Sequence, residues 1–333
     1  MSVTTFPIPQ RAAIGQGASE TMEIILHLGA HRTASTSFQH YLRGNTDALA
    51  ESGVGVWGPL RTRDGVLTGV VPASGNPRPP AQQLVRATGR VSIALTKAEQ
   101  AGFAQLVVSD ENMLGAPRRN LRHRTLYDDA GQRMARFAQA FGQGVSRVVL
   151  SIRGQDSYWS SALAFAVARG HRVPNRDDLD RLVTSPRHWR DVIADVACAF
   201  PRADIQVMPY EVFGGQPERK LQVITGQATP PKKHARAWLN RAPKIETLRA
   251  IVAERGGNPA RLGEGEGRWQ PFDAGQTAAL RESYADDLFW LRAGADGLAT
   301  LIEETGPGEA GTHPPLGQTT RGHSNDDEKR RMA

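Results

Sequence analysis

Sulfur chemistry is nearly absent from this chain: its 333 residues include a single cysteine, Cys198. One cysteine excludes an intramolecular disulfide framework and a thiolate metal site, and it fits a reducing compartment. Its surroundings, the apolar stretch 192–200, predict a buried structural thiol rather than a nucleophile. Long apolar runs are missing too. Nothing approaches the ~20 apolar residues that span a bilayer. The amino-terminal twenty residues lack the apolar core of a secretory signal. The expectation is a cytoplasmic protein without a membrane span. There is no aromatic-interleaved basic stripe and no nucleic-acid motif, and the histidines and acids show no zinc spacing. Neither nucleic acid nor a metal is therefore expected as a ligand.

What remains is the composition of a loop-rich globular protein, 39% hydrophobic and 23% charged, with 34 Gly and 21 Pro. The net charge is +7. In residues 306–333 the acids Glu309, Asp326, Asp327 and Glu328 cancel the bases Arg321, Lys329, Arg330 and Arg331. The basic excess thus belongs to the folded part, and a small polyanion is the partner it best suits. Residues 1–21 and 306–333 lack periodic apolar anchors and are expected to be disordered tails around one domain, 22–305.

Within that domain short apolar runs alternate with helical spacings. Strands are expected at 24–28, 53–57, 105–109, 147–152 and 204–208, and helices at 35–51, 128–141, 156–169, 187–199 and 273–303. Such alternation predicts a three-layer α/β/α fold around a central, mostly parallel sheet of about five strands. Residues 58–90 carry Gly-Pro, Ser-Gly-Asn-Pro and Arg-Pro-Pro, which interrupt both periods and suggest an irregular lid over a site.

Three strand ends carry the candidate chemistry. The first runs Ile25-Leu-His-Leu-Gly-Ala-His-Arg-Thr-Ala-Ser-Thr-Ser-Phe-Gln39: a strand, a turn of small and hydroxylated residues, then a helix start. Free helix N–H groups and the macrodipole make such a turn an anion site. An ATP-type loop would carry lysine before its Ser/Thr; here Ser35 holds that place, and the nearest cation is Arg32. The second end, Val107-Val-Ser-Asp110-Glu111-Asn112, brings a carboxylate to the sheet's carboxyl edge, where open α/β sheets bind ligands. Glu111 is a candidate general base, and Asp110 a candidate helix cap. The third joins Arg153 to Ser161 across a strand end and about two helical turns, close enough for both to grip one phosphate.

Taken together, the first loop, the Val-Val-Ser-Asp-Glu-Asn segment and Arg153-Gly-Gln-Asp-Ser-Tyr-Trp-Ser-Ser161 resemble the sulfotransferase family that uses 3′-phosphoadenosine 5′-phosphosulfate (PAPS), over about residues 23–210. The resemblance implies a P-loop NTPase-like sulfotransferase fold, with PAPS as co-substrate and no metal. It implies that Arg32, Thr33, Ala34, Ser35, Thr36 and Ser37 hold the 5′-phosphosulfate, with Arg32 in place of the family's lysine and Ala34 in place of a glycine. Arg153 and Ser161 would bind the 3′-phosphate, Glu111 would take the acceptor's proton, and His31 would touch the sulfuryl group or acceptor. The acceptor would be a hydroxyl, or an amine, of a carbohydrate, lipid or small molecule. A faint further likeness, around Arg261-Leu-Gly263 and Gly267-Arg-Trp269, would cover the nucleotide. Two rivals remain open at this level: an ATP-dependent P-loop kinase or ATPase, suggested by Asp110-Glu111, and a non-catalytic nucleotide-binding relic, suggested by Arg32 and Ala34.

Overall fold

A computed structural model describes residues 22–73 and 75–303; both expected tails lie outside the described residues. Six parallel strands form one sheet in the order β2-β3-β1-β4-β5-β6. They are β1 (Glu23–His27), β2 (Val54–Trp57), β3 (Gln105–Ser109), β4 (Val145–Ile152), β5 (Asp204–Pro209) and β6 (Thr300–Leu301). Helices cover both faces, giving the three-layer α/β/α architecture. No helix among the described residues is long and apolar enough to cross a membrane.

Alternation along each strand explains the layering. Ile24 and Leu26 of β1 and Val148 and Leu150 of β4 enter one core, together with Trp159 and Trp189. Ile25, Val107 and Val149 point the other way, into a second core with Phe38, Tyr41 and Leu221. Both faces are buried, so the strands read as continuous apolar runs. A fully buried side chain such as Ile25 contributes about 1.5–3 kcal/mol relative to exposure.

Several expectations need correction. The strand count rises to six because β6, only two residues long, follows the Ala274–Arg292 helix where one helix to 303 was expected. The 35–51 helix is broken at Asn45, whose side chain donates to Tyr41 O at 2.7 Å and to Lys233 O at 2.9 Å. The 58–90 insert is less irregular than its prolines suggested, since a helix spans Pro80–Gln100. Pro80 begins that helix, in the first turn, where a missing N–H costs nothing. Cys198 is exposed. Val192, Ile193, Val196 and Ala197 take the inward face of the Trp189–Ala199 helix, and the 3.6-residue period turns Cys198 outward.

The topology also fixes where a ligand can sit. From β1 the chain leaves toward β2, whereas from β4 it leaves toward β5, so the loops after these neighbouring strands diverge and open a crevice. Backbone pairing carries on past β1: Leu28 N donates to Val149 O at 2.8 Å and Ala30 N to Ser151 O at 3.0 Å. The candidate anion loop is thereby pinned to β4.

Behind the loop lies Lys220, only 2% exposed, with Nζ donating to Ser151 Oγ at 3.1 Å and sitting 5.3 Å from the Phe38 ring centre. Burial pulls its ammonium down to about 8 from an ordinary value of 10.5. Between these two values the unfolded chain holds a proton that the folded chain has released, so stability rises as pH rises from about 8 to 10.5. Lys220→Met should therefore raise the melting temperature at pH 7 and lose most of that advantage by pH 10.5. Equal shifts at both pH values would show that Lys220 is not held above its preferred charge state.

Candidate functional site

A cavity of about 840 Å³ opens above the carboxyl ends of β1, β3 and β4. His31, Arg32, Ala34, Ser35 and Thr36 supply one wall, and Glu111 and Asn112 a second. Arg153 and the Gln155–Val167 helix form a third. That helix is apolar around most of its circumference, but Ser157, Ser160, Ser161, Ala164 and Phe165 make one stripe at helical spacing that faces the cavity.

The anion loop is shaped by its own hydroxyls. Thr33 Oγ1 donates to Ala30 O at 2.5 Å, and Ser35 Oγ donates to Gly29 O at 3.0 Å. Thr33 is fully buried and does not line the cavity. Ser37 is also turned away: its Oγ accepts from Leu239 N at 2.9 Å, tying the 238–244 segment to the loop helix. Gly29 cannot be larger, because a Cβ there would lie 2.6 Å from Ser35 Oγ and 2.8 Å from His27 Cε1. The Ser35–Gly44 helix starts without a side-chain cap, so its first N–H groups are directed at the cavity by geometry alone.

Arg32 and Ala34 both adopt left-handed backbone, φ 69° and 63°. This is the conformation that glycine, which Ala34 replaces in the resembled pattern, takes without a Cβ penalty. The loop keeps the required path with alanine and bears the strain.

Arg153 and Arg32 meet across the switch point. Arg153 is 7% exposed; its Nη1 donates to Arg32 O at 2.8 Å and its Nε to Ser157 Oγ at 2.8 Å. Its guanidinium lies 4.3 Å from the Tyr210 ring centre. Arg32 Nε donates to Ser161 Oγ at 2.9 Å, and its guanidinium stacks on Phe165, whose ring Arg169 also covers. Ser161 holds Arg32, while Arg153 takes Ser157, one helical turn nearer to it. Among the described residues neither guanidinium forms an ion pair. Burial, then Arg153 and Arg169, pull Arg32 down to about 10; burial likewise lowers Arg153. Each stays protonated at neutral pH.

Glu111 stands on the cavity wall, but both of its oxygens are engaged. Oε2 accepts from Gln39 Nε2 at 2.6 Å and Oε1 from Arg63 Nη2 at 2.9 Å. Burial pushes its carboxyl up; the Gln39 hydrogen bond and the Arg63 charge outweigh this and hold it below the ordinary glutamate value. Arg63 also grips Asp110, at 2.8 Å, and Asp110 accepts from Thr62 Oγ1 at 2.6 Å. As expected of a cap, Asp110 accepts from Asn112 N at 3.0 Å. The first part of the 58–90 insert is therefore bolted to the end of β3 as a fixed wall.

His31 belongs to a hydrogen-bond chain that runs from the cavity wall into the core. Its N–H donates to Tyr127 Oη at 2.9 Å, its Nδ1 lies 3.0 Å from the same oxygen, and its Nε2 lies 3.1 Å from Asn112 Oδ1. Asn120 and Tyr158 continue the chain inward. Tyr127 Oη already accepts the His31 N–H, so its own proton goes to Nδ1 and Nε2–H donates to Asn112. Burial favours this neutral imidazole by lowering the His31 pKa.

Arg63, Phe165, Arg169 and the 238–244 segment have no local sequence signature and were missed. Arg268, part of the fainter family likeness, lines the cavity, as does Tyr210, whereas Arg261 does not. Ala34→Gly should raise stability by roughly 0.5–1 kcal/mol, because relief of the left-handed strain exceeds the added unfolded-state entropy. A chemical denaturation midpoint unchanged or lowered would contradict strain at this position. No protein-family model matches this chain, and no curated protein matches it.

Proposed function

We propose that this protein is a PAPS-dependent sulfotransferase, transferring a sulfuryl group to an acceptor hydroxyl and releasing 3′,5′-ADP. One observation carries the reading. A capless helix start, Arg32 and Arg153, without ion-pair partners and flanked by Ser157 and Ser161, share one cavity at the sheet's switch point. Two buried guanidinia side by side repel each other and lose hydration, so the site favours a ligand with more than one anionic group. A nucleotide phosphorylated at both 3′ and 5′ positions meets that demand.

The transfer is an in-line displacement at sulfur. The acceptor oxygen forms the new O–S bond as the bond from sulfur to the 5′-phosphate oxygen breaks, and the departing electron pair stays on that phosphate. Loop N–H groups, the Thr36 hydroxyl and Arg32 lie where this charge grows. Arg32 contributes charge and hydrogen bonds but no proton, since a guanidinium does not deprotonate at working pH. Glu111 accepts the acceptor's proton. Its lowered basicity limits that contribution to the lower end of the ~10²–10⁴-fold typical of positioned bases. Asp110, which an ATP-type reading would assign to Mg2+, is occupied by Thr62 and Arg63, and the loop has no lysine; both features favour the sulfuryl reading over the kinase one.

Two measurements test the proposal. In thermal unfolding, 3′,5′-ADP should stabilise the protein without Mg2+, by about 2.7 kcal/mol at a hundredfold excess over Kd. Arg153→Ala should abolish the preference for 3′,5′-ADP over 5′-ADP; stabilisation by ATP with Mg2+ alone would overturn the assignment. In turnover with PAPS and an acceptor panel, Arg32→Ala should cost roughly 10²–10³ in kcat, the effect of removing one preorganised donor. Nucleotide binding with no transfer by the native protein to any acceptor would leave a binding relic in place of an enzyme.

A further inference from the structure

Eight cationic side chains line the cavity against one carboxylate, Glu111. Of the eight, only Arg63 is ion-paired among the described residues. Four of them surround the serine stripe: Arg32 and Arg153 directly, Arg169 across the Phe165 ring from Arg32, and Arg268 close enough to Arg153 to act on its charge. A 3′-phosphorylated nucleotide 5′-phosphosulfate brings about four negative charges: about two on the 3′-phosphomonoester and one each on the 5′-phosphate and the sulfuryl group. These match the four cations at the serine stripe. Arg63, Arg118, Arg241 and Lys244 remain, and the two acids paired with Arg63, Glu111 and Asp110, offset two.

Arg118 gives this surplus a location. It belongs to the basic run 118–124, a run that is otherwise largely neutralised: Arg119 pairs with Asp128 at 2.7 Å, His123 with Asp128 at 2.6 Å and Arg124 with Asp178 at 3.1 Å. Arg118 has no such partner among the described residues and lines the cavity, seven residues along the chain from Glu111. Arg63, beside Glu111, spends Nε and Nη2 on Asp110 and Glu111. Its Nη1 is unengaged among the described residues, which leaves donors available toward the cavity.

Resting on the sulfotransferase reading, we infer that the acceptor is itself anionic, with an oxyanion beside the reacting hydroxyl that Arg118 and Arg63 bind. The oxyanion can be a carboxylate or a sulfate already in place; both present the planar or trigonal oxygens that a guanidinium fork grips. A neutral acceptor would close over the remaining cations and strip their hydration without compensation. The same oxyanion orients the acceptor, since it and the hydroxyl must reach Arg118 and Glu111 at once.

The inference is tested by calorimetric titration of the whole protein saturated with 3′,5′-ADP, using N-acetylglucosamine, N-acetylglucosamine 6-sulfate and glucuronate as probes. At least one anionic probe should bind about tenfold or more tightly than the neutral sugar, the weight of one charge-assisted hydrogen bond. The preference should shrink as salt is raised. Preference for the sulfated sugar alone, or for glucuronate alone, identifies which oxyanion the site takes. Arg118→Ala, an exposed position, should remove most of the preference and leave the affinity for the neutral sugar as it was. Equal binding of all three probes, or a preference that survives both Arg118→Ala and Arg63→Ala, would overturn the inference while the nucleotide reading stands. Failure of 3′,5′-ADP itself to bind is seen before any sugar is added, and removes the underlying reading together with this one.

Discussion

The bond from the buried Arg153 guanidinium to the Arg32 carbonyl, 2.8 Å long, joins the two strand-end loops that the sheet topology sends in opposite directions. It sets the distance between an anion loop and a charged strand end. It also brings two guanidinia together where, among the described residues, neither forms an ion pair. Such an arrangement is costly in an empty protein, because burial and like charge act in the same direction on both groups. The cost is borne by the surrounding packing: Tyr210 under Arg153, Phe165 under Arg32, and Trp189 donating to the Arg153 carbonyl at 2.8 Å. Under the proposed function, a bound polyanion would relieve the same strain that the fold sustains, so binding specificity and local instability would share one origin.

The opposite wall follows a different logic. There Arg63 is neutralised by Asp110 and Glu111, and Gln39 fixes the remaining Glu111 oxygen. A carboxylate so engaged is a positioned but weak base. The insert that supplies Arg63 is thereby coupled to β3 through side chains, not through strand pairing, so its chemistry can vary without disturbing the sheet. His31, facing the same space, is kept neutral by burial, and its hydrogen bonds to Tyr127 and Asn112 fix its orientation as a donor. The anion-loop side of the cavity thus carries guanidinia that form no ion pair among the described residues, whereas Arg63, Asp110 and Glu111 on the opposite wall are paired with one another.

Local pattern was enough to find the first five strands, since each is a short apolar run buried on both faces with chain neighbours that pair in parallel. The phosphate-type turn after β1, Glu111 at the end of β3 and Arg153 at the end of β4 were equally legible, because strand ends in such a sheet share one edge. Where local signals competed, the reading failed. Prolines near residue 80 suggested an interruption, whereas they start a helix. An apolar neighbourhood suggested that Cys198 is buried, whereas helical phase turns it outward.

By itself, the sequence determined the α/β alternation, the strand ends that carry the candidate chemistry and the unusual arginine in the first loop. These depend on periodicity and on residues adjacent in the chain. The tertiary structure decided which partners those residues meet. Ser161 binds Arg32 and not Arg153, Arg63 crosses 48 positions to hold Glu111, and Thr33 and Ser37 turn away from the cavity. Such pairings depend on strand order, helix phase and side-chain reach, and contacts between residues far apart in the chain leave no periodic trace in it.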